Sequence, residues 1–147
     1  MHIPSDVFYT FPTHPLPPHL PASHEQNTTI IAAMVRTAIT FAIRGHDVYL
    51  DGIVGPWFLP VVVAELTATH VEGHYIVLQA PIETTLARTQ QRQDGSDNAV
   101  VRQMHSAFAT LGVYEAHAID TIDRTPDLVA AEITRRRAAG TLTFQAS

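Results

Sequence analysis

Apolar side chains recur at three- and four-residue spacing from Ile30 through Ile31, Met34, Val35, Ala38, Ile39, Ala42 and Ile43. That period predicts an amphipathic helix. Ser23 or Asn27 can cap its start, and Gly45 stops it with Arg44 in the last turn. The period then changes. Val48, Tyr49 and Leu50 form a short β-branched and aromatic run of the kind that sits in a buried strand. Asp51-Gly52 ends the run, and Gly55-Pro56 turns the chain. Trp57 to Thr67 reads as a second helix, although Val61-Val62-Val63 also suits a strand.

The alternation continues. His74 to Leu78 is a second buried strand, and Pro81 opens a helix with Ile82, Leu86 and Ala87 inward and Arg88 and Arg92 at its far end. Gln90 to Asn98 is a polar loop with a turn at Asp94-Gly95. Asn98 caps a helix carrying Val101, Met104, Phe108 and Leu111, which Gly112 ends. Ala116 to Ile119 forms a short strand ending in Asp120-Thr121. Thr125-Pro126 opens a last helix that stops near Gly140, and Leu142 to Phe144 suits an edge strand.

Strands and helices in alternation predict one α/β domain over residues 1–147, a parallel sheet with helices on both faces. Met1 to Pro4 would be the tail of a further strand leading into Ser5-Asp6. Acids at strand ends (Asp6, Asp51, Asp120) then fall where an open α/β sheet keeps its ligand chemistry. For Asp51, spacing leaves two readings open: a ligand-facing acid, or a cap on its own turn.

Residues 4–21 hold six of the ten prolines, with His14 and His19 among them and His24 just beyond. Proline removes backbone donors, so this is an extended or looped segment. Three histidines spaced by five lack a helix to bring them to one face, which argues against a metal site. The formal charge of −5 argues against a nucleic-acid partner. The cluster Arg135-Arg136-Arg137 reads as a solvated last helical turn that favours the helix dipole. No apolar run approaches the ~20 residues that span a bilayer. The start MHIPSDVFYT lacks a signal-peptide pattern. With no such apolar run, no membrane partner is expected, and with no cysteine, a cytoplasmic home is the expectation. The nine Lys and Arg residues are all arginine.

The stretches HIPSDVFY, HEQN, GHDVYLDGIVGPWFL, HYIVLQAPIETTLARTQQR, VVRQMHSAF and AIDT occur in an order that resembles small P-loop kinases of the chloramphenicol phosphotransferase-like type. DGIVGPWFL and VVRQMHSAF are the specific ones. The resemblance implies a P-loop nucleoside-kinase-like fold, ATP and magnesium as cofactors, and a small-molecule hydroxyl as acceptor. Asp6 matches the acid that accepts the hydroxyl's proton, and Asp51 the strand-end acid near magnesium and the nucleotide phosphates. Arg88 and Arg92 match arginines of a lid, here the helical region 81–111, with Arg102 a helper. Asp120 and Thr121 fall on the adenine side. Tyr9 and Trp57, with Asp6 and Asp51, would line the acceptor site. Such chemistry needs positioned positive charge and an acid to orient the attacking hydroxyl.

One departure is large. The family opens with a strand, then G-x-x-x-x-G-K-[ST], then a helix, before the segment matched here from Met1. These 147 residues contain neither that motif nor a lysine. The motif supplies the N–H groups, the lysine and the hydroxyl that cradle phosphates and magnesium. In this family that first strand lies between the Asp51 strand and the His74 strand. The expectation is therefore a kinase domain lacking its front, inactive without the P-loop. The alternative is a non-catalytic binding module or pseudokinase. A metal-dependent hydrolase built from His14, His19, Asp6 and Asp51 ranks last, because no ligand motif joins them.

Overall fold

The computed structural model describes residues 1–92 and 97–144. The chain divides into two compact units, one spanning Met1–Gly73 and the other beginning at His74.

The first unit holds β1 (His2–Pro4), α1 (His24–Ala42), β2 (Tyr49–Asp51) and α2 (Leu59–Thr69). A six-residue 3-10 turn, Ser5–Thr10, follows β1 directly. β1 and β2 pair in parallel, with His2 opposite Tyr49, Ile3 opposite Leu50 and Pro4 opposite Asp51. The helical period predicted for α1 is the one that buries: Ile30, Ile31, Met34, Val35 and Ile39 face inward. Ile31 and Met34 are almost fully enclosed, so truncating either to alanine costs about 2–5 kcal/mol. α1 packs on α2, and Arg36 reaches across to Glu65 with Nε and Nη2 at 2.9 and 2.6 Å. The Val61–Val63 run is helical, inside α2. Its helix ends at His70, which takes the left-handed conformation at φ 54°.

Ser23 precedes α1 as expected, yet its hydroxyl does not cap the helix. It donates back to the Pro18 and Leu20 carbonyls, at 2.9 and 2.7 Å. Asn27 is not a cap either. It lies one turn inside α1 and donates to Pro18 O at 2.7 Å. Gln26 completes this clasp: its Oε1 accepts from Leu16 N at 2.8 Å and its Nε2 donates to Leu16 O at 3.0 Å. Leu16 carries the one backbone N–H between Pro15 and Pro18, so Gln26 takes the single donor that stretch has. The proline-rich segment is thus a strap fastened to the first turn of α1.

The second unit holds β3 (Val77–Gln79), α3 (Ile82–Arg92), α4 (Asn98–Ala107), β4 (Ala118–Asp120) and α5 (Pro126–Ala138). β3 and β4 pair in parallel, Leu78 opposite Ile119 and Gln79 opposite Asp120. Ile119 and Leu142 are fully buried, with Leu111, Val77, Tyr75 and Val129 nearly so. Thr125 caps α5, its Oγ1 accepting from Leu128 N, and Pro126 takes the first helical position. Leu142 to Phe144 forms a single antiparallel bridge, His74 with Thr143, in place of an edge strand.

Several expectations change. Gln90, Gln91 and Arg92 continue α3 instead of opening a loop, and the turn expected at Asp94-Gly95 lies outside the described residues. Asp97, not Asn98, caps α4, with its Oδ1 accepting from Ala99 N at 2.8 Å. On α3, Ala87 is exposed and Thr89 is the buried position. The arginine cluster on α5 is only partly a solvated turn. Arg136 donates through Nη1 to the Ala116 and Ala118 carbonyls, and Arg137 Nε donates to His74 Nε2.

The mixed α/β class is as expected, but the sheet is not one sheet. Among the described residues there are two two-stranded parallel pairs, β1–β2 and β3–β4. The strands are also less buried than their composition suggested: Tyr49 is 63% exposed and Leu78 57%. In a parallel ladder alternate residues turn their backbone groups to opposite edges. Tyr49 N bonds Met1 O, so Leu50 turns its N–H and C=O away from β1. Gln79 O bonds Thr121 N, so Leu78 turns away from β4 in the same manner. Neither outward edge has a partner strand among the described residues.

Candidate functional site

In the first unit the carboxyl ends of β1 and β2 place the two expected acids close in register. Pro4 lies opposite Asp51, and Asp6 follows in the 3-10 turn two residues on. Phe8 packs inward from that turn and tilts against Phe11 with ring centres 5.3 Å apart, which fixes the turn's rotation. Asp6 is consequently exposed, and Tyr9, half-buried, sits close enough to feel it. Burial raises the Tyr9 phenol above its ordinary pKa, and the Asp6 charge adds to the rise. Tyr9 therefore remains a neutral hydroxyl donor throughout the physiological range.

Asp51 ends β2 with its Oδ2 at 3.4 Å from His2 Nε2, both side chains largely exposed. Gly52 follows because nothing larger fits there: a Cβ would overlap the side chain of Ser5, itself 3% exposed. Gly55 is constrained similarly, by the indole of Trp57. Trp57 tilts against Phe58 at 6.1 Å and stays partly open to solvent. The glycines of DGIVGPW thus let two side chains, Ser5 and Trp57, close onto the backbone beside Asp51.

The histidines do not gather. His24 stacks on Phe58 with centroids 5.3 Å apart and planes 20° from parallel. Among the described residues no three His, Cys, Asp or Glu side chains lie together as a metal site would require. A lone carboxylate such as Asp51 holds magnesium only when substrate phosphates and water complete the octahedron. These residues alone do not make a magnesium site.

In the second unit an open cleft of ≈ 210 Å³ lies at the carboxyl ends of β3 and β4, lined by Leu78, Gln79, Ala80, Thr85, Arg88 and Thr121. α3 delivers Arg88 to it. The guanidinium donates through Nη1 to Thr121 Oγ1 at 2.9 Å and through Nη2 to Thr121 O at 3.1 Å. Thr121 Oγ1 in turn donates to Gln79 O at 3.0 Å. Ala80, another lining residue, is bonded at its carbonyl by His105 Nε2 at 3.0 Å, which ties α4 to the end of β3. Asp120 turns away from this network: its Oδ1 accepts from Ile122 N at 2.8 Å and closes a local turn.

Arg88 and Thr121, expected as a lid arginine and an adenine-side contact, are therefore direct partners. Arg102 is exposed on α4. Arg92 closes α3, and its side chain lies outside the described residues. Sequence reading missed Ser5, which adjoins Asp6 but carries no spacing signal, and Gln79, which acts through its backbone carbonyl.

No known family profile and no curated protein matches this chain. Among the described residues, no helix is long and apolar enough to cross a membrane.

Proposed function

We propose that this chain is most of an ATP-dependent phosphotransferase that moves the γ-phosphate to a hydroxyl of a small molecule. It would act only when completed by a strand, glycine-rich loop and helix that these 147 residues do not contain. The observation that carries the reading is the pair of short parallel ladders. Each has polar, chemistry-bearing side chains at its carboxyl end, where open α/β sheets bind ligands, and neither has a third strand among the described residues.

The residue types support that chemistry. Asp6, exposed beside the neutral Tyr9 hydroxyl, suits an acid that orients an acceptor hydroxyl and takes its proton. Asp51 at the end of β2 suits a role near a nucleotide's phosphates. Arg88 presents positive charge at an open cleft, as phosphoryl transfer requires. What these residues lack is a phosphate cradle, since no lysine and no glycine-rich loop is present.

That lack favours a second reading, a non-catalytic binding module or pseudokinase. Calorimetry with ATP and magnesium separates the two, run on this chain and on a form extended upstream in frame. Binding confined to the extended form, with loss of turnover but not of ATP binding in Asp6→Asn, is the expected outcome. Full turnover in Asp6→Asn removes Asp6 as the base, and failure of both forms to bind ATP favours the module.

A further inference from the structure

Arg88 lines the cleft and uses two of its five N–H groups on Thr121, which leaves three for other acceptors. Its described partners are a hydroxyl and a carbonyl, neither of them charged, so its positive charge has no carboxylate to balance it there. Thr121 is 8% exposed, and its hydroxyl accepts from Arg88 and commits its one proton to Gln79 O. A hydroxyl so placed has its rotor locked: with its proton on Gln79 O, a lone pair must point at Nη1. The residue's own C=O receives Nη2, and its N–H is fixed on Gln79 O at 2.9 Å. The guanidinium plane is thereby set by one residue through two contacts.

We infer that Thr121 is a positioning residue for Arg88, holding the guanidinium so that its remaining N–H groups address an oxyanion in the cleft, and does not itself contact the nucleotide base. This rests on the phosphotransferase reading for the identity of the anion, a phosphoryl group, but not for the geometry of the pair. Because guanidinium groups recognise phosphate through paired N–H donors, rotation of the plane removes such pairing without removing the charge. The predicted signature is a loss in affinity on deleting the hydroxyl that the smaller hydroxyl residue restores.

The test uses the full chain, isotope-labelled, with Thr121→Val, Thr121→Ser and Arg88→Gln variants and inorganic pyrophosphate as probe. Arg88→Gln identifies the Arg88 Nε–H resonance. That resonance is expected to be sharp in the parent and in Thr121→Ser, and to broaden or shift toward the free-arginine position in Thr121→Val. Pyrophosphate affinity should fall about tenfold in Thr121→Val, the scale of one hydrogen bond to a charged group, and return within about threefold in Thr121→Ser. Thr121→Ala gives the same comparison where the valine variant does not fold. An unchanged Arg88 resonance in the hydroxyl-deleted variant, or lost stability with unchanged pyrophosphate affinity, overturns the positioning role. The pyrophosphate arm is run on the form extended upstream in frame, where the phosphate cradle would be complete. No binding there overturns the phosphoryl reading, while the Arg88 resonance of the 147-residue chain still decides the role of Thr121.

Discussion

Replacing Gly52 with alanine tests the packing that sets Asp51 beside the end of β1. The added Cβ would land on Oγ and Cβ of Ser5, whose side chain is enclosed and has little room to withdraw. Overpacking of a single methyl into a filled site costs about 1–3 kcal/mol. At a urea slope of ~2 kcal/mol per molar, a cost in the middle of that range moves the unfolding midpoint down by about 1 M. The companion substitution is Ser5→Gly, which deletes both obstructing atoms and leaves Ser5 Cα as the nearest neighbour at 3.7 Å, an ordinary contact. Gly52→Ala should then be nearly neutral. Urea unfolding of the four proteins in the cycle gives the coupling directly, and a favourable coupling of about 1 kcal/mol or more is expected. If Gly52→Ala costs as much with Ser5 removed as with it present, the clash is not the cause and this placement of the acids is wrong.

Two further outcomes follow from other parts of the chain. Arg135 and Arg136 hydrogen-bond the Glu132 carboxylate and lower its pKa to about 2. A depressed folded value means its contribution is complete above the ordinary carboxylate range and fades as pH falls toward about 2. Acid titration of stability should therefore flatten across that window in Glu132→Gln, and an unchanged slope would count against the pairing. Gln26→Ala removes both bonds to Leu16, each worth about 0.5–1.5 kcal/mol net, so the Leu16 amide should exchange with deuterium at least about fivefold faster. Equal exchange in the two proteins would mean the strap is held by other contacts.

The long apolar period of α1 was legible because 19 residues of one pattern outvote any local exception. Thr125-Pro126 was legible because proline at the first turn and threonine before it act through purely local geometry. The strands were harder. Val48 to Leu50 has strand composition, but exposure depends on what lies beside the strand, and composition does not encode a neighbour. Ser23 shows the same limit: its position before α1 was readable, but its hydroxyl serves the strap because the fold brings the Pro18 and Leu20 carbonyls within its reach. Arg88 and Thr121 lie 33 positions apart, and only folding shows that one orients the other. Arg136 was misjudged for a related reason. A basic last turn looks solvated until β4 comes to lie under it with unsatisfied carbonyls.

The outward edges at Leu50 and Leu78 also bear on how the chain behaves in concentrated solution. An uncovered strand edge is a template for pairing with another molecule, and here each edge carries an exposed apolar neighbour, Tyr49 or Leu78 itself. Strands of three residues blunt that hazard, since each edge offers a single residue's N–H and C=O rather than a row. Self-association through these edges is therefore expected to be weak and reversible, and to be suppressed by any segment that occupies the edge first. The same three-residue length limits each edge to a short, correctly registered segment as its partner.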